Sequence, residues 1–422
     1  MSELAVLGGR PVRQSPFPSW PQFDEREVEA VVQVTRSGKW YRYSGDEVRQ
    51  FEQAFADYHT AKYAQAVTSG TMALEAGLFA LGVGPGDEVL VPSYTFVSTA
   101  TAVVNNGAVP VFVDIDLKTL NLDLAAAETL VGPNTKAIVP VHFAGCPCDM
   151  EAVTAFAKRH GLKVLEDAAH SHGGFWDNRG LGSLGDCGAF SFQFSKNLTC
   201  ADGGIVLTSD QALATRLFSR HSYGQRPGQP WYNHEVVSTN LRMTEWQGAI
   251  LRAQLTRLAE QTARRLENAR LLDAAVDGLD DLTRIGNDDP RAARRAYHLY
   301  CFRYTPKAPG LDAGRIAAAL QAEGIPCGTG YPVPLYKQPL FNNVRPPKRL
   351  AEHYADLAQP QVEQACRETL WLPQNALLGE AQDTRDIIRA FEKVLAGQDE
   401  LRRQGVRPSA PKAGPQRSQA AS

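Results

Sequence analysis

The feature that most constrains the fold of this chain is a run of short apolar segments that alternate with helical or turn segments. Four of them occupy residues 87–92, 110–115, 136–143 and 163–168, and two more follow closely at 188–193 and 203–209. A helical segment at 69–82 begins with Ser-Gly-Thr and stops at a glycine, as helices commonly do. Strands that are apolar on both faces and alternate with helices are typical of a mainly parallel sheet. The pattern therefore predicts an α/β domain.

The pattern changes from about Leu241 onwards. Residues 242–276 form one long helical pattern, 296–304 are typical of a strand, and 313–324 are typical of a helix. We therefore expect an N-terminal segment with a large domain over 1–262, and a smaller α+β domain over 263–396. Residues 397–422 are rich in Pro, Ser and basic residues and have little to bury, which predicts a disordered tail.

Charge and composition exclude several classes of function. The 44 Lys and Arg nearly balance the 46 Asp and Glu, which argues against nucleic acid or an anionic membrane as the main partner. The sequence offers neither a membrane span nor a signal peptide, so we expect a cytoplasmic protein. The seven cysteines form an odd, scattered set that favours reduced thiols. We interpret the close pair Cys146 and Cys148 as a structural turn rather than a metal site, and we expect no metal.

Several chemically useful side chains follow predicted strands. Ligands of open α/β sheets bind beyond the carboxyl ends of the strands. Asp167 and His170 follow one such end, Tyr94 and Phe96 another, and Ser69–Gly70–Thr71 a third, just before a helix. Small residues at a helix N-terminus can hold a phosphate, because the backbone approaches closely and free N–H groups point at the anion.

Lys196 stands out because it follows an apolar segment that we expect to be buried. A lysine, a carboxylate, an aromatic ring and a phosphate cradle together suit pyridoxal phosphate, which bonds to a lysine amine as a Schiff base. Each residue also has a simpler interpretation: a surface lysine for Lys196, helix caps for Asp167, Ser69 and Thr71, and core packing for Phe96. The sequence has neither G-x-G-x-x-G after a strand nor G-x-x-x-x-G-K-[ST], so a dehydrogenase or P-loop enzyme is poorly supported.

Seven segments, in this order, resemble the DegT/DnrJ/EryC1/StrS-type aminotransferases: "TSGTMALEAGL", "PSYTFVSTATAV", "VPVFVDID", "IVPVHFAG", "EDAAHSHGG", "SFQFSKNLTCADGG" and "NLRMTEWQGAIL". The resemblance covers roughly residues 20–394. It implies fold type I aminotransferase architecture, with a large seven-stranded, mainly parallel sheet domain and a smaller C-terminal α+β domain. It also implies pyridoxal 5'-phosphate as cofactor and a homodimer with shared active sites.

The resemblance assigns roles to individual residues. Lys196 matches the lysine that bonds to the cofactor, and Asp167 matches the carboxylate on the pyridine nitrogen. The remaining cofactor contacts that it implies are Phe96 stacking on the ring, His170 near the ring hydroxyl, Ser69, Gly70, Thr71 and Ser191 around the phosphate, and Asn240 reaching the phosphate from the other subunit. Each of three residues has an alternative role: Phe96 packs in the core, His170 is packed rather than facing the ligand, and Asn240 caps the helix that follows it. We single out Tyr94, Arg220 and Tyr331 as substrate contacts, although a plain surface loop explains Arg220 equally well.

The implied reaction moves an amino group from L-glutamine or L-glutamate to a ketone on a ring, as in aminoglycoside, antibiotic or cell-surface sugar biosynthesis. Residues 324–341 look more like the cyclitol and aminohydroxybenzoate branches, which favours a scyllo-inosose-like acceptor. A nucleotide-linked keto-sugar is the alternative, with Arg220 and Arg226 as its cationic contacts. Two further alternatives are a dehydratase of the same fold and a non-catalytic homologue. Dehydratases of this family lack the lysine that Lys196 matches, so the presence of Lys196 argues against the first. A non-catalytic homologue does not need the lysine, the aspartate and the phosphate residues, so their presence argues against the second.

Overall fold

The computed structural model describes residues 3–230, 232–306 and 309–404. Its helices are α1 Glu25–Ser37, α2 Glu47–Tyr58, α3 Gly70–Ala80, α4 Ser98–Asn105, α5 Leu124–Glu128, α6 Met150–His160, α7 Gln211–His221, α8 Glu245–Val276, α9 Ala313–Ala322, α10 Pro360–Glu368, α11 Ala381–Ala396 and α12 Gln398–Gln404. Its strands are β1 Tyr63–Val67, β2 Glu88–Pro92, β3 Val109–Val113, β4 Thr135–Ile138, β5 Lys163–Asp167, β6 Phe175–Trp176, β7 Arg179–Gly180, β8 Cys187–Ser191, β9 Gly204–Thr208, β10 Leu282–Arg284, β11 Leu299–Tyr304, β12 Gly328–Thr329 and β13 Thr369–Pro373.

A seven-stranded sheet with the order β1-β9-β8-β5-β4-β2-β3 forms the centre of the larger part of the molecule. Only β9 runs against the others: it is antiparallel to β1 and β8, whereas the remaining neighbours pair in parallel. The predicted mainly parallel, seven-stranded sheet is therefore confirmed. The carboxyl ends of β1, β2, β5 and β8 consequently meet at one edge of the sheet.

Helices cover both faces of this sheet because successive side chains of each strand point to opposite faces. On β5, Leu165 packs with the apolar residues of α3, whereas Val164 packs with those of α6 on the other side. Residues of β2, β8 and β9 are buried along their whole length, which explains their nearly continuous apolar sequences.

A second, four-stranded antiparallel sheet has the order β10-β11-β13-β12 and packs with α9 and α11 around its own apolar core. The N-terminal residues join this core rather than the large sheet, which differs from the predicted grouping of the N-terminal segment with the large domain. Leu4 lies in the apolar cluster, and the Arg13 guanidinium pairs with Asp383 and Asp386 of α11.

Helix α8 runs without interruption across the predicted domain boundary at 262/263, so this boundary remains a prediction. The predicted tail needs a correction at its start. Residues Gln398–Gln404 form α12, and Leu401 is fully buried, because this turn contributes an apolar side chain to the second core. The rest of that prediction, 405–422, lies outside the described residues. Among the described helices, none has a stretch long and apolar enough to cross a membrane.

Candidate active site

A cavity of about 710 Å³ lies at the edge where the carboxyl ends of β1, β2, β5 and β8 meet. Two groups of residues enclose it, one from the large sheet and one from the four-stranded sheet. We call them the large-sheet wall and the small-sheet wall. The large-sheet wall consists of Ser69, Gly70, Thr71, Leu74, Thr95, Phe96, Ser98, Thr99, Val141, Asp167, Ala169, His170, Ser191, Gln193, Ser195, Lys196, Asp202 and Gly203, and the small-sheet wall of His298, Leu299, Tyr331 and Trp371.

The N-terminus of α3 forms one end of the large-sheet wall. Ser69 is its N-cap: the Ser69 side chain accepts a hydrogen bond from the Met72 N–H (3.2 Å), and the Ser69 carbonyl accepts one from the Ala73 N–H. Within the described residues, the first two N–H groups of the helix, from Gly70 and Thr71, have no acceptor. Such groups form an anion site, because free N–H donors and the helix dipole point the same way.

Close backbone packing at this end explains a glycine. A Cβ at Gly70 would lie 2.5 Å from Cβ of Ser191 and 2.9 Å from its hydroxyl. Only a residue without a side chain therefore lets the start of α3 approach the end of β8 and bring the Ser191 hydroxyl next to the free N–H groups. The hydroxyl of Thr71 contacts that of Ser98 at 2.7 Å, so the same end is rich in hydroxyl groups.

Asp167, the last residue of β5, lies in the floor of the cavity. Its Oδ2 accepts a hydrogen bond from the Thr99 hydroxyl (2.8 Å), and its Oδ1 accepts one from the Ala169 N–H (3.2 Å). Burial raises the pKa of the Asp167 carboxyl, although these hydrogen bonds and the charge of Lys196 act in the opposite direction. The carboxylate thus lacks a direct cationic partner among the described residues.

Lys196 lies in the turn after β8 and is partly exposed to the cavity. Its Nζ makes no hydrogen bond or ion pair with the described part of the chain. Burial lowers the pKa of Lys196 to about 8, and Asp167 opposes this shift. A substantial fraction of the amine is therefore neutral near physiological pH, which a nucleophile or proton acceptor requires.

Glu166, although next to Asp167 in sequence, does not line the cavity. Alternation along β5 points it to the opposite side, where it contacts His142 Nε2 at 2.9 Å and accepts N–H groups of Gly182, Leu184 and Gly185. Burial raises the pKa of Glu166, but these hydrogen bonds lower it by more than burial raises it, so the net shift of the pKa is downward. Glu166 is a buried structural anion.

His170 follows β5 and is buried except where it lines the cavity. Its Nδ1 accepts a hydrogen bond from the Ala144 N–H (3.2 Å). Burial, together with the nearby charges of Lys196 and His172, keeps the pKa of His170 well below its usual value. The imidazole is therefore neutral, and because Nδ1 accepts, Nε2 carries the proton and is a donor.

The small-sheet wall is mainly aromatic. The rings of Tyr331 and Trp371 meet edge to face at 5.6 Å, and the imidazole of His298 lies 4.4 Å from that of His170. The predicted residue Tyr331 thus lines the cavity. Tyr94, which was also predicted to contact the substrate, does not line the cavity: its residue surface is 1% exposed, and its hydroxyl accepts the Tyr331 N–H (3.1 Å). As a correction, Tyr94 reaches the cavity only through Tyr331, because its own side chain points into the core.

Two further predicted residues lie outside this cavity. Asn240 is exposed; it pairs in a β-bridge with Ser222, and its side-chain oxygen accepts the Arg242 N–H (3.2 Å). It is not a cap of α8, since Thr244 occupies that position. Arg220 lies on α7 with its guanidinium 5.0 Å from the Phe79 ring centre, so the structure does not bring it to the cavity of its own chain.

The sequence analysis missed Thr99, His298 and Trp371. Thr99 lies in α4, four residues after Thr95 and close to the predicted strand end, and this closeness to the strand end is a signal that could have identified it. His298 directly precedes β11 and Trp371 lies in β13, and no local pattern indicates that the four-stranded sheet closes the cavity.

The residues present fit pyridoxal phosphate. A buried carboxylate without a cationic partner suits a protonated pyridine nitrogen, a neutral-prone amine suits an aldehyde, and the free N–H groups of α3 beside Ser191 suit a phosphate. Within the described residues, no group of three His, Cys, Asp or Glu is arranged to hold a metal ion.

Comparisons with known proteins agree with this geometry. The sequence profile of the DegT/DnrJ/EryC1/StrS aminotransferase family matches residues 21–392. An L-glutamine:2-deoxy-scyllo-inosose aminotransferase of Micromonospora echinospora is 36% identical over 422 residues, covering 95% of this chain and 100% of the relative. A crystal structure of 3-amino-5-hydroxybenzoic acid (AHBA) synthase matches with a TM-score of 0.84 at 36% identity, covering 91% of this chain and 100% of that chain. NtdA of Bacillus subtilis with bound cofactor PMP matches with a TM-score of 0.77 at 26% identity, covering 91% and 86%.

Proposed function

The chain belongs to the DegT/DnrJ/EryC1/StrS aminotransferase family and is a pyridoxal-phosphate-dependent aminotransferase, and we propose that it moves the amino group of L-glutamine to a scyllo-inosose-like ring ketone. The observation that carries the acceptor class is the lining of the cavity. Among the described residues that line it, Lys196 is the only one with a cationic side chain, since His170 and His298 are held neutral. An uncharged, hydroxylated ring suits such a cavity better than a sugar linked to a nucleoside diphosphate, because the diphosphate needs cationic partners.

The relatives support the same choice. The Micromonospora echinospora relative is named for L-glutamine as donor and for a scyllo-inosose as acceptor. The AHBA synthase structure, similar over 91% of this chain, is named for a carbocyclic product rather than a nucleotide sugar. Both names favour an unattached six-membered ring as the acceptor.

When bound, pyridoxal phosphate supplies an aldehyde that takes up an amino group and a ring that withdraws electrons. Lys196 would hold the aldehyde, and its Nζ, once free, would take the proton from Cα of the donor as a general base and deliver it to the carbon of the cofactor aldehyde as a general acid. Asp167 would accept a hydrogen bond from the ring N–H and hold the proton there. Thr99 and Ala169 would keep that carboxylate oriented, and Ser69, Gly70, Thr71 and Ser191 would hold the phosphate. Phe96, which is 56% exposed, would cover the ring.

The proposed function is tested by a screen of ketones with L-glutamine and L-glutamate as donors, read by mass spectrometry of the amine products. We expect amination of scyllo-inosose-type ketones with L-glutamine and at least ~10-fold slower amination of nucleotide-linked keto-sugars, since each unpaired charge lowers transition-state binding. The reverse preference would contradict the proposed acceptor and leave the aminotransferase assignment intact.

We also propose that two chains share each site. Hydroxyl and backbone N–H groups of this chain supply the donors to the phosphate, and a dianion is better held with more donors. Asn240 lies outside its own cavity and belongs to a surface with exposed aromatic residues, among them Trp40, Tyr41 and Tyr223. The Arg242 guanidinium lies over the rings of Tyr41 and Tyr223, which joins this surface to the Asn240 segment. An exposed aromatic patch of this kind suits a second copy of the chain.

Complementation tests the shared site. Lys196→Ala and Asn240→Asp are each expected to be inactive, the second because its carboxylate repels the phosphate. In a mixed dimer with composite sites, one site carries both lesions and the other carries neither. Activity should therefore return to up to ~25% of wild type with random exchange and independent sites. If mixed dimers form, as judged by mass, and stay inactive, each chain holds its own complete site.

A further inference from the structure

His298 is the one polar side chain of the small-sheet wall that is nearly buried, with 5% of its surface exposed. It directly precedes β11, and its Nδ1 lies 3.3 Å from Oδ1 of Asn197. Asn197 follows Lys196 and is 1% exposed. The imidazole is thus fixed to the same turn that carries the reactive lysine.

The hydrogen bonds of Asn197 determine the tautomer of His298. The Asn197 amide Nδ2 donates to the Ala296 carbonyl (2.7 Å), which leaves Oδ1 as the atom that faces His298. An amide oxygen only accepts, so Nδ1 of His298 must carry the proton. Burial, together with the neighbouring charges of Lys196 and Arg265, holds the pKa of His298 well below its usual value, so the ring is neutral. Nε2 is therefore a lone-pair acceptor.

The two neighbouring imidazoles thus offer opposite groups to the cavity. His170 offers an N–H through Nε2, because its Nδ1 accepts the Ala144 N–H, whereas His298 offers a bare Nε2. Neither Nε2 has a hydrogen-bond partner among the described residues. Neither is among the polar atoms that are fully buried without a partner, so both nitrogens keep some accessible surface. Both nitrogens are therefore available to a ligand in the cavity.

We propose that Nε2 of His298 accepts a hydrogen bond from a hydroxyl group of the ring ketone, which makes His298 a specificity-determining residue for the acceptor; this rests on the proposed function. The carboxylate of the amino donor offers only acceptors to this nitrogen, so it is not the group that is recognised. Each hydroxyl of a scyllo-inosose-like ring is a donor. A site built to hydrogen-bond one hydroxyl discriminates against the analogue that lacks it, because the nitrogen is then left unpaired.

Two variants separate hydrogen bonding from structure. In His298→Gln the side-chain oxygen can occupy the place of Nε2, so the acceptor is kept. In His298→Asn the shorter side chain keeps an amide group near the place of Nδ1, but the acceptor at the place of Nε2 is lost. The matched control is His353→Asn, an exposed histidine that does not line the cavity. Each enzyme is assayed with L-glutamine against the parent ring ketone and against a series of its monodeoxy analogues.

For wild type and His298→Gln we expect one deoxy analogue to be worse than the parent by about 3- to 10-fold in kcat/KM, the effect of one hydrogen bond. For His298→Asn that difference should vanish, mainly through a raised KM for the parent ketone. Release of the keto acid from L-glutamine should be unchanged. If His298→Asn still discriminates between the parent ketone and the deoxy analogue as wild type does, this inference is overturned and the proposed function is not. If wild type aminates no ring ketone, the proposed function and this inference are both overturned.

The tautomers are tested without turnover. In the full-length holoenzyme labelled with ¹⁵N-histidine, long-range ¹H–¹⁵N correlation between pH 6 and 8 should show His298 protonated at Nδ1 and His170 at Nε2, with assignments from the His298→Gln spectrum. A proton on Nε2 of His298 would overturn the inference, because that nitrogen could then not accept the hydroxyl.

Discussion

The two walls of the cavity differ in what their polar groups do in the protein alone. On the large-sheet wall, Asp167 has a raised pKa, Lys196 has a lowered pKa, and the first N–H groups of α3 lack acceptors within the described residues. On the small-sheet wall, Tyr331 and Trp371 pack against each other. The large-sheet wall is thus arranged for a charged ligand at some expense in stability, whereas the small-sheet wall presents aromatic rings and one neutral imidazole to the cavity. We infer that the cofactor chemistry resides on the first wall and acceptor selection on the second.

The largest expected effect comes from removing the amine of the large-sheet wall. Lys196→Ala should lower transamination by at least ~10³-fold, because both the covalent anchor and the general base are lost. Amine product is measured by mass spectrometry, and borohydride reduction of wild type with cofactor should label the Lys196 peptide. The control is Lys158→Ala, an exposed lysine on α6. A labelled peptide elsewhere in the chain would move the catalytic lysine away from this wall.

The next largest effect concerns the buried carboxylate. Asp167→Asn keeps the shape but loses the charge that favours a protonated ring nitrogen, so turnover should fall by about 100-fold with cofactor still bound, as expected for one to several pK units partly expressed in the barrier. Steady-state rates and the cofactor absorption band are the measurements. Asp177→Asn, at an exposed position, is the matched control. Turnover near that of wild type would mean that another group holds the ring proton.

These first two predictions concern residues that the sequence identified, and the reason is physical. Asp167 and Lys196 each follow a buried strand, so a local pattern marks them, and parallel strands bring such ends together. Side-chain alternation separates Asp167 from Glu166, which the sequence alone left side by side. The sequence did not identify His298 and Trp371, because the four-stranded sheet reaches the cavity through tertiary packing alone. Asn240 lies outside the cavity of its own chain, and the role predicted for it requires a second chain, which no local pattern describes.

A third prediction addresses the expense in stability of the large-sheet wall. Burial of the Lys196 ammonium lowers its pKa to about 8, so the charged form destabilises the fold below that pH and the penalty fades as the pH rises towards the unfolded value. Lys196→Met should therefore stabilise the cofactor-free protein at pH 7 by on the order of 2 kcal/mol, a factor of about 30 in the folding equilibrium. Urea unfolding at pH 7 and pH 10 measures the gap. A gap that is absent at pH 7, or that widens at pH 10, would contradict this difference between the walls.

The smallest expected effect comes from the small-sheet wall. Trp371→Leu removes an aromatic face that contacts Tyr331, and kcat/KM for the ring ketone should fall by up to ~10-fold, as expected for about 1 kcal/mol of lost aromatic contact. Trp371→Phe, which keeps a ring, should lose less than half of that effect in logarithmic terms. Initial rates over a range of ketone concentrations give the comparison, and equal losses in the two variants would show that the aromatic face is unimportant.

The division of labour between the walls is tested most directly by measuring the two half-reactions separately under single-turnover conditions. Enzyme with cofactor is mixed first with L-glutamine alone, and in a second experiment the aminated enzyme is mixed with the ketone; the cofactor spectrum reports both rates. We expect Asp167→Asn to slow both half-reactions by similar factors, and Trp371→Leu to slow only the reaction with the ketone. If Trp371→Leu slows the reaction with L-glutamine as much as the reaction with the ketone, the small-sheet wall does not select the acceptor and the central claim is wrong.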